Sequence, residues 1–183
     1  RATAVTASAM ASLQEESDGR AICGIGRGDS SAAHIGKRQA TTKELKDSIQ
    51  TIQSYFKGES IDVGTMQSPI RWIDPDIIPP VPIDVACTGP KTIQMACEVS
   101  ERVSFAVGSS YDRVSWAMNT ALEHIQKIGR RRDEIKIGAY INLICDPDEK
   151  RAIGMARMLA GLVAHFTAMK NAPIDHLPPS LQK

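Results

Sequence analysis

The order of segments predicts an α/β protein built on a parallel sheet, and three observations carry that expectation. Short stretches of strand character alternate with longer stretches of helical periodicity along most of the chain. One stretch, residues 83–108 (IDVACTGPKTIQMACEVSERVSFAVG), reads as a complete strand–turn–helix–strand unit. Several strands also place bulky residues on one side and small or polar ones on the other.

The elements follow in order. Helical spacing predicts a first helix over 3–17, with Val5, Ala9 and Leu13 on one stripe, Met10 beside them, and a stop at Asp18-Gly19. Residues 20–26 (RAICGIG) read as a short buried strand, and a polar loop with Gly28, Asp29, Ser30, Ser31 and Gly36 follows. Thr41 and Glu44 spell a capping box for a helix whose apolar stripe is Leu45, Ile49, Ile52 and Phe56, and Gly58 closes it. Residues 1–58 thus supply helix, strand, loop and helix. The segment 59–82 is an irregular, proline-rich insertion: Pro69, Pro75, Pro79, Pro80 and Pro82 exclude a long helix, while 70–73 (IRWI) has room for a short strand. Three βα units then fill 83–172: strand 83–88 into helix 90–102, strand 103–108 into a helix around 111–129, and strand 135–145 into a last helix from Pro147. Asp146 is the expected N-cap of that last helix, with Pro147 at its first position and Asp148 and Glu149 in its first turn. The two prolines of HLPPSLQK predict a loose tail over 173–183.

Strands joined by helical crossovers fit either an open sheet or part of a (β/α)8 barrel. The side-chain alternation favours the barrel. Asp84, Ala86 and Thr88, Ser104, Ala106 and Gly108, and Gly138, Tyr140 and Asn142 share one side of their strands. A sheet covered by helices on both faces is expected to be apolar throughout, so this side lines either a ligand space or a crowded barrel axis.

Composition excludes other classes. At 183 residues, 42% hydrophobic and 23% charged, the chain has the makeup of a globular domain. A net charge of +1 offers no general attraction to nucleic acid or an acidic membrane. No apolar run approaches the roughly 20 residues that span a bilayer, and no signal segment precedes the first helix, so a cytoplasmic protein is expected. Cys23, Cys87, Cys97 and Cys145 form no metal-ligand spacing and are expected to be buried, reduced thiols.

Some familiar patterns fail. GIGRGD at 24–29 has Asp29 where a dinucleotide fingerprint needs its third glycine. Gly36-Lys37 lacks both the leading glycine and the hydroxyl of a P-loop. Arg27-Gly28-Asp29 is a coincidental adhesion tripeptide, and Arg130-Arg131-Arg132 reads as a solvated helix end. The turn Thr88-Gly89-Pro90-Lys91-Thr92 survives. It falls where a strand ends and a helix begins, so free N–H groups and the positive end of the helix dipole can hold a phosphate. Gly89 allows close approach, Pro90 suits the first helical position, and Lys91 and Thr92 add a charge and a hydroxyl.

Three blocks together, AVTASAMASLQEESDGRAICGIGRGDSSAAHIG at 4–36, IPPVPIDVACTGPKTIQMACEVSERVSFAVG at 78–108 and IKIGAYINLICDPDEKRAIGMAR at 135–157, resemble the bacterial luciferase-like monooxygenase family. The similarity is to its branch of deazaflavin F420-dependent oxidoreductases, such as methylenetetrahydromethanopterin reductase. The resemblance implies a (β/α)8 TIM-barrel fold of which this chain holds only about strands four to seven with their helices. A complete barrel takes on the order of 250 residues, so a partial barrel is implied, with much of the substrate pocket outside the sequence. An exposed barrel edge would then be covered by a partner or a second copy.

The resemblance further implies a phosphorylated redox cofactor, F420 in the first place and FMN in the second, and a small-molecule substrate. It places the cofactor phosphate at Thr88, Gly89, Pro90, Lys91 and Thr92, with further contacts from Val107 and Gly108. Gly24 and Gly26 would let the ring approach the strand. Arg27, Asp29, Ser30 and His34 would lie beside ring and substrate, with Arg27 expected to pair with Asp29 or another carboxylate. No catalytic acid or base and no metal site is implied. The expected activity is hydride transfer by an oxidoreductase, with an FMN-dependent monooxygenase or a non-catalytic structural remnant as alternatives.

Overall fold

A computed structural model describes residues 2–28 and 30–157. Its centre is a four-stranded sheet of β1 (Cys23–Ile25), β4 (Ile83–Cys87), β5 (Arg102–Phe105) and β6 (Lys136–Ala139), paired in that order and all parallel. Residues 61–62 and 67–68 form a separate antiparallel hairpin, β2 (Ile61–Asp62) and β3 (Gln67–Ser68). The helices are α1 (Thr3–Glu16), the short α2 (Ser30–His34), α3 (Thr42–Phe56), α4 (Pro90–Val99) and α5 (Tyr111–Lys127). Contacts run from α1 to α3, α3 to α4 and α4 to α5, so these four form one continuous layer.

The alternation read from the sequence is realised in the sheet. Ile83, Val85, Cys87, Val103 and Phe105 are buried among the helix residues Ile49, Ile52, Ile93 and Ala96. Asp84, Ala86 and Ser104 lie half-buried on the other side. Strand register sets Gly24, Asp84, Arg102 and Lys136 in one row across that side, and Ala86, Ser104 and Gly138 in the next. This face of mostly small residues is what a barrel turns toward its axis, where bulky side chains from every strand would collide.

Local rules explain most boundaries. The Thr41 hydroxyl accepts from the Glu44 N–H at 3.1 Å, and a Glu44 carboxylate oxygen accepts from the Thr41 N–H at 2.7 Å, so the capping box that opens α3 is complete. Pro90 stands at the first position of α4, and the Gly89 carbonyl accepts the first intrahelical bond from Ile93. Arg130 is not the solvated charge expected of its run: its Nη1 donates to the carbonyls of Cys97 and Ser100, both at 2.8 Å, and closes the C-terminal end of α4.

Several sequence expectations give way. Val5 and Leu13 of α1 are exposed at 57% and 55%, while Ala7, Ala11 and Gln14 are buried. The alanine face wins because small side chains let α1 and α3 approach closely, and buried Gln14 is satisfied at both ends. Its Nε2 donates to the Pro79 carbonyl at 3.1 Å and its Oε1 accepts from the Ala21 N–H at 2.9 Å. Residues 70–73 form no strand; the hairpin pairs 67–68 instead, and Ile73 closes a turn on the Ile70 carbonyl. The strand expected over 135–145 ends at Ala139, which leaves Cys145 exposed rather than buried. The last helix opens at residue 149, and its N-cap is Asp148, not Asp146. The Asp148 side chain accepts from the N–H of Lys150 and Arg151, and its carbonyl accepts from Ala152. Asp146 accepts from the Asp148 N–H at 2.8 Å and pairs with Arg151 at 2.6 Å. The tail over 173–183 lies outside the described residues.

Candidate functional site

The C-terminal ends of β4 and β5 form one rim. Cys87 is level with Phe105, and the Ala106 N–H donates to the Cys87 carbonyl at 2.8 Å. Continuing that register brings Thr88 and Gly89 beside Ala106 and Val107. The two loops that the resemblance assigns to one phosphate thus follow neighbouring strands side by side. Gly108 has φ +81°, a left-handed conformation that disfavours any side chain, so a glycine is required to turn the chain there.

Gly89 is free of backbone strain at φ −124°, and a Cβ built on it would meet nothing within 4 Å. Its lack of a side chain answers to no neighbour in the protein, and it leaves the end of α4 open. No side chain caps this helix. Since Ile93 makes the first intrahelical bond, the N–H groups of Lys91 and Thr92 have no intrahelical acceptor. Lys91 is exposed, Thr92 is buried at 6%, and Val107 is buried at 2%. Open space, free donors, a dipole end and an adjacent ammonium together fit a phosphate.

Gly24 and Gly26 lie on and just past β1, both exposed. A Cβ on Gly24 would also meet nothing within 4 Å, and one on Gly26 would come to 3.6 Å of the Ala86 Cβ, ordinary contact. Gly26 thus keeps the face flat beside Ala86 toward the rim, whereas Gly24 lies a row lower, level with Asp84 and Arg102. Arg27 forms no ion pair with a carboxylate among the described residues. Its Nε donates to the Ala40 carbonyl at 2.6 Å while the Ala40 N–H donates back to the Arg27 carbonyl at 2.9 Å. This double link ties the two ends of the 28–40 loop together. The proposed pairing with Asp29 lies outside the described residues. Ser30 opens α2, and His34, exposed, ends it.

Two features escaped the sequence reading. Asp84, near the opposite end of β4, accepts from the Ser104 hydroxyl at 2.8 Å and stands 3.9 Å from Arg102 Nε. That end of a barrel governs stability rather than chemistry. The other is Arg113 in the first turn of α5, whose Nε is buried without a hydrogen-bond partner among the described residues. Neither is visible in sequence, because each depends on what a neighbouring strand or helix places beside it. Among the described residues no three His, Cys, Asp or Glu side chains gather as metal ligands. No helix there is long and apolar enough to cross a membrane. Burial pushes the Cys87 thiol up, and that of Cys97 to about 11, so neither is a ready nucleophile near neutral pH.

The parallel strands, their one-sided helix layer and the small-residue inner face define an α/β protein of the TIM-barrel type. The structure of coenzyme F420-dependent tetrahydromethanopterin reductase from Methanopyrus kandleri superposes with a TM-score of 0.76 at 22% identity, covering 96% of this chain and 56% of that one. The chain belongs to the luciferase-like monooxygenase family, whose pattern matches residues 1–177. It is 30% identical over 173 residues to 5,10-methylenetetrahydromethanopterin reductase of Methanolobus tindarius, covering 89% of this chain and 51% of that protein. It is 27% identical over 169 residues to F420-dependent glucose-6-phosphate dehydrogenase of Nakamurella multipartita, covering 86% and 49% respectively. The chain therefore spans about half the length of the curated relatives it matches.

Proposed function

We propose that this chain forms the cofactor-phosphate side of an F420-linked oxidoreductase acting on a small organic substrate. The observation that carries the reading is the open turn at Gly89, beside the glycine turn at Gly108, in a chain similar to an F420-dependent glucose-6-phosphate dehydrogenase and an F420-dependent tetrahydromethanopterin reductase. When bound, the deazaflavin supplies the hydride chemistry. The chain's own part is to hold and orient. Backbone N–H groups of Lys91 and Thr92 and the Lys91 ammonium receive the phosphate, and the loop after Val107 closes beside it. Gly24 and Gly26 leave room for the ring against β1, and the link between Arg27 and Ala40 fixes the loop that carries Ser30 and His34. Fixing the ring against one face of the sheet is the entropic share of catalysis that a scaffold can provide.

The test is a fluorescence titration of the chain with F420 and with FMN, on the wild type and on a Gly89→Val, Lys91→Ala double variant. Saturable binding of F420, lost in the variant while folding is retained, is the expected outcome. Preference for FMN would move the chemistry to a flavin monooxygenase. Binding of neither by a folded chain would leave a structural remnant of the barrel.

A further inference from the structure

The first turn of α5 holds a guanidinium whose Nε is unanswered among the described residues. Arg113 is half-buried, its Nε is sealed from solvent, and that nitrogen has no hydrogen-bond partner among the described residues. Burial holds its pKa below the usual arginine range with no carboxylate acting against the shift. Asp112, its neighbour in sequence, is exposed and points about 100° away around the helix. An unpartnered, partly desolvated guanidinium is costly unless something anionic meets it.

Its position can be worked out from one fixed contact. His124 of α5 lies 3.1 Å from Glu98 of α4, so those two residues mark the same height and the same helix–helix seam. Arg113 precedes His124 by about three helical turns and therefore shares its side of α5, one turn before the buried Ala117 and two before the buried Ala121. At about 1.5 Å per residue, Arg113 stands about 16 Å from His124 toward the C-terminal rim. Gly89 stands about 13 Å from Glu98 in the same direction. The two helices follow adjacent parallel strands, so Arg113 comes level with the Gly89 turn, on the side of α5 that faces it. Side chains of a helix lean toward its N-terminus, which carries the guanidinium further toward the rim.

Building on the F420 reading, we propose that Arg113 is a binding residue for the cofactor phosphate, its planar fork clamping the anion that the Gly89 turn receives. The phosphate would then lie between two helix N-termini, with Lys91 as a mobile charge and Arg113 as the directional one.

The test compares F420 with the same deazaflavin lacking its phosphate-bearing tail, titrated against the wild-type chain, Arg113→Met and Arg113→Lys. Arg113→Met is expected to weaken F420 binding roughly tenfold to hundredfold and to leave the tail-less compound unchanged. Arg113→Lys is expected to recover part of the loss and to make binding more salt-sensitive. Equal weakening for both compounds, or none, overturns the proposal. Should Arg113→Met fail to fold, Arg113→Lys decides: a loss confined to F420 supports the clamp, and an unchanged affinity removes it. If the wild type binds F420 and the Gly89→Val, Lys91→Ala variant does not, while Arg113→Met is unaffected, only this assignment falls. If the wild type binds no F420, the functional reading falls with it.

Discussion

The unit β4–α4–β5–α5 and the stretch from β6 onward share one sheet, yet they are finished to different degrees. In the first, every second strand residue is sealed: Ile83, Val85, Cys87, Val103 and Phe105 are at most 1% exposed. In the second, β6 has only Ile137 partly covered, and Tyr140, Ile141 and Leu143 stand 54%, 50% and 79% exposed. The sequences of the two regions are about equally apolar. What differs is what lies against them, since α4 and α5 cover the first, while the extensive contacts of β6 among the described elements are with β5. Apolar pattern announces that a face is to be buried; burial itself needs a neighbour. The candidate site lies at the rim of the finished unit, where its loops can be held rigid.

Substitutions can break or sharpen this contrast. Phe105→Ala, in the sealed face, is expected to cost about 3–5 kcal/mol by the usual scale for buried aromatics, and Leu143→Ala no more than about 0.5 kcal/mol. Urea denaturation of the two variants checks the pair, and equal losses would show the two regions to be packed alike. Helix caps should follow the same division. Thr41→Ala breaks the capping box on α3, whose inner side is buried, and is expected to lower global stability by about 1 kcal/mol. Asp148→Ala removes a similar cap at the open side and is expected to speed amide exchange around Lys150–Ala152 with little change in the global midpoint.

The smallest effect is electrostatic. The Arg38 guanidinium, followed by the Thr41 N–H and hydroxyl, holds the exposed Glu44 carboxyl down to about 2. A folded value below the unfolded one means that the contribution is whole above the unfolded carboxylate value of about 4.3 and is lost as pH falls toward 2. The stability difference between wild type and Glu44→Gln should therefore be constant from pH 7 to 5, shrink below that, and vanish only once pH has fallen through about 2. A difference that stays at its neutral-pH size down to pH 2 would assign the effect to shape rather than charge.

Features set by near neighbours in the chain were legible in advance. The Thr41–Glu44 box, Pro90 at the start of α4 and the strand-to-helix turn at Gly89 are each spelled within a few residues, and each formed as read. The family and the barrel type were legible through the same short motifs taken together. Features set across the chain were not. The stripe Val5, Ala9, Leu13 outranks alanine in hydrophobicity, but α3 selected the flatter side of α1. Gln14 looks like a surface residue until Pro79 and Ala21 are brought to it from either side. Arg27 donates to the Ala40 carbonyl thirteen residues on, a partner that only the closing of the loop brings near. Arg113 carried no local signal, and its interest arises only from the level at which α4 stands beside α5.

The most direct test of the account is the amide NMR spectrum of the chain on addition of F420. Shifts concentrated at Gly89, Lys91, Thr92, Val107 and Gly108 are the predicted result, since those groups form the phosphate rim. Saturable shifts confined instead to the shallow apolar groove between α1 and residues 68–72, around Val5, Ala9 and Trp72, would contradict it and place the ligand on another face of the molecule.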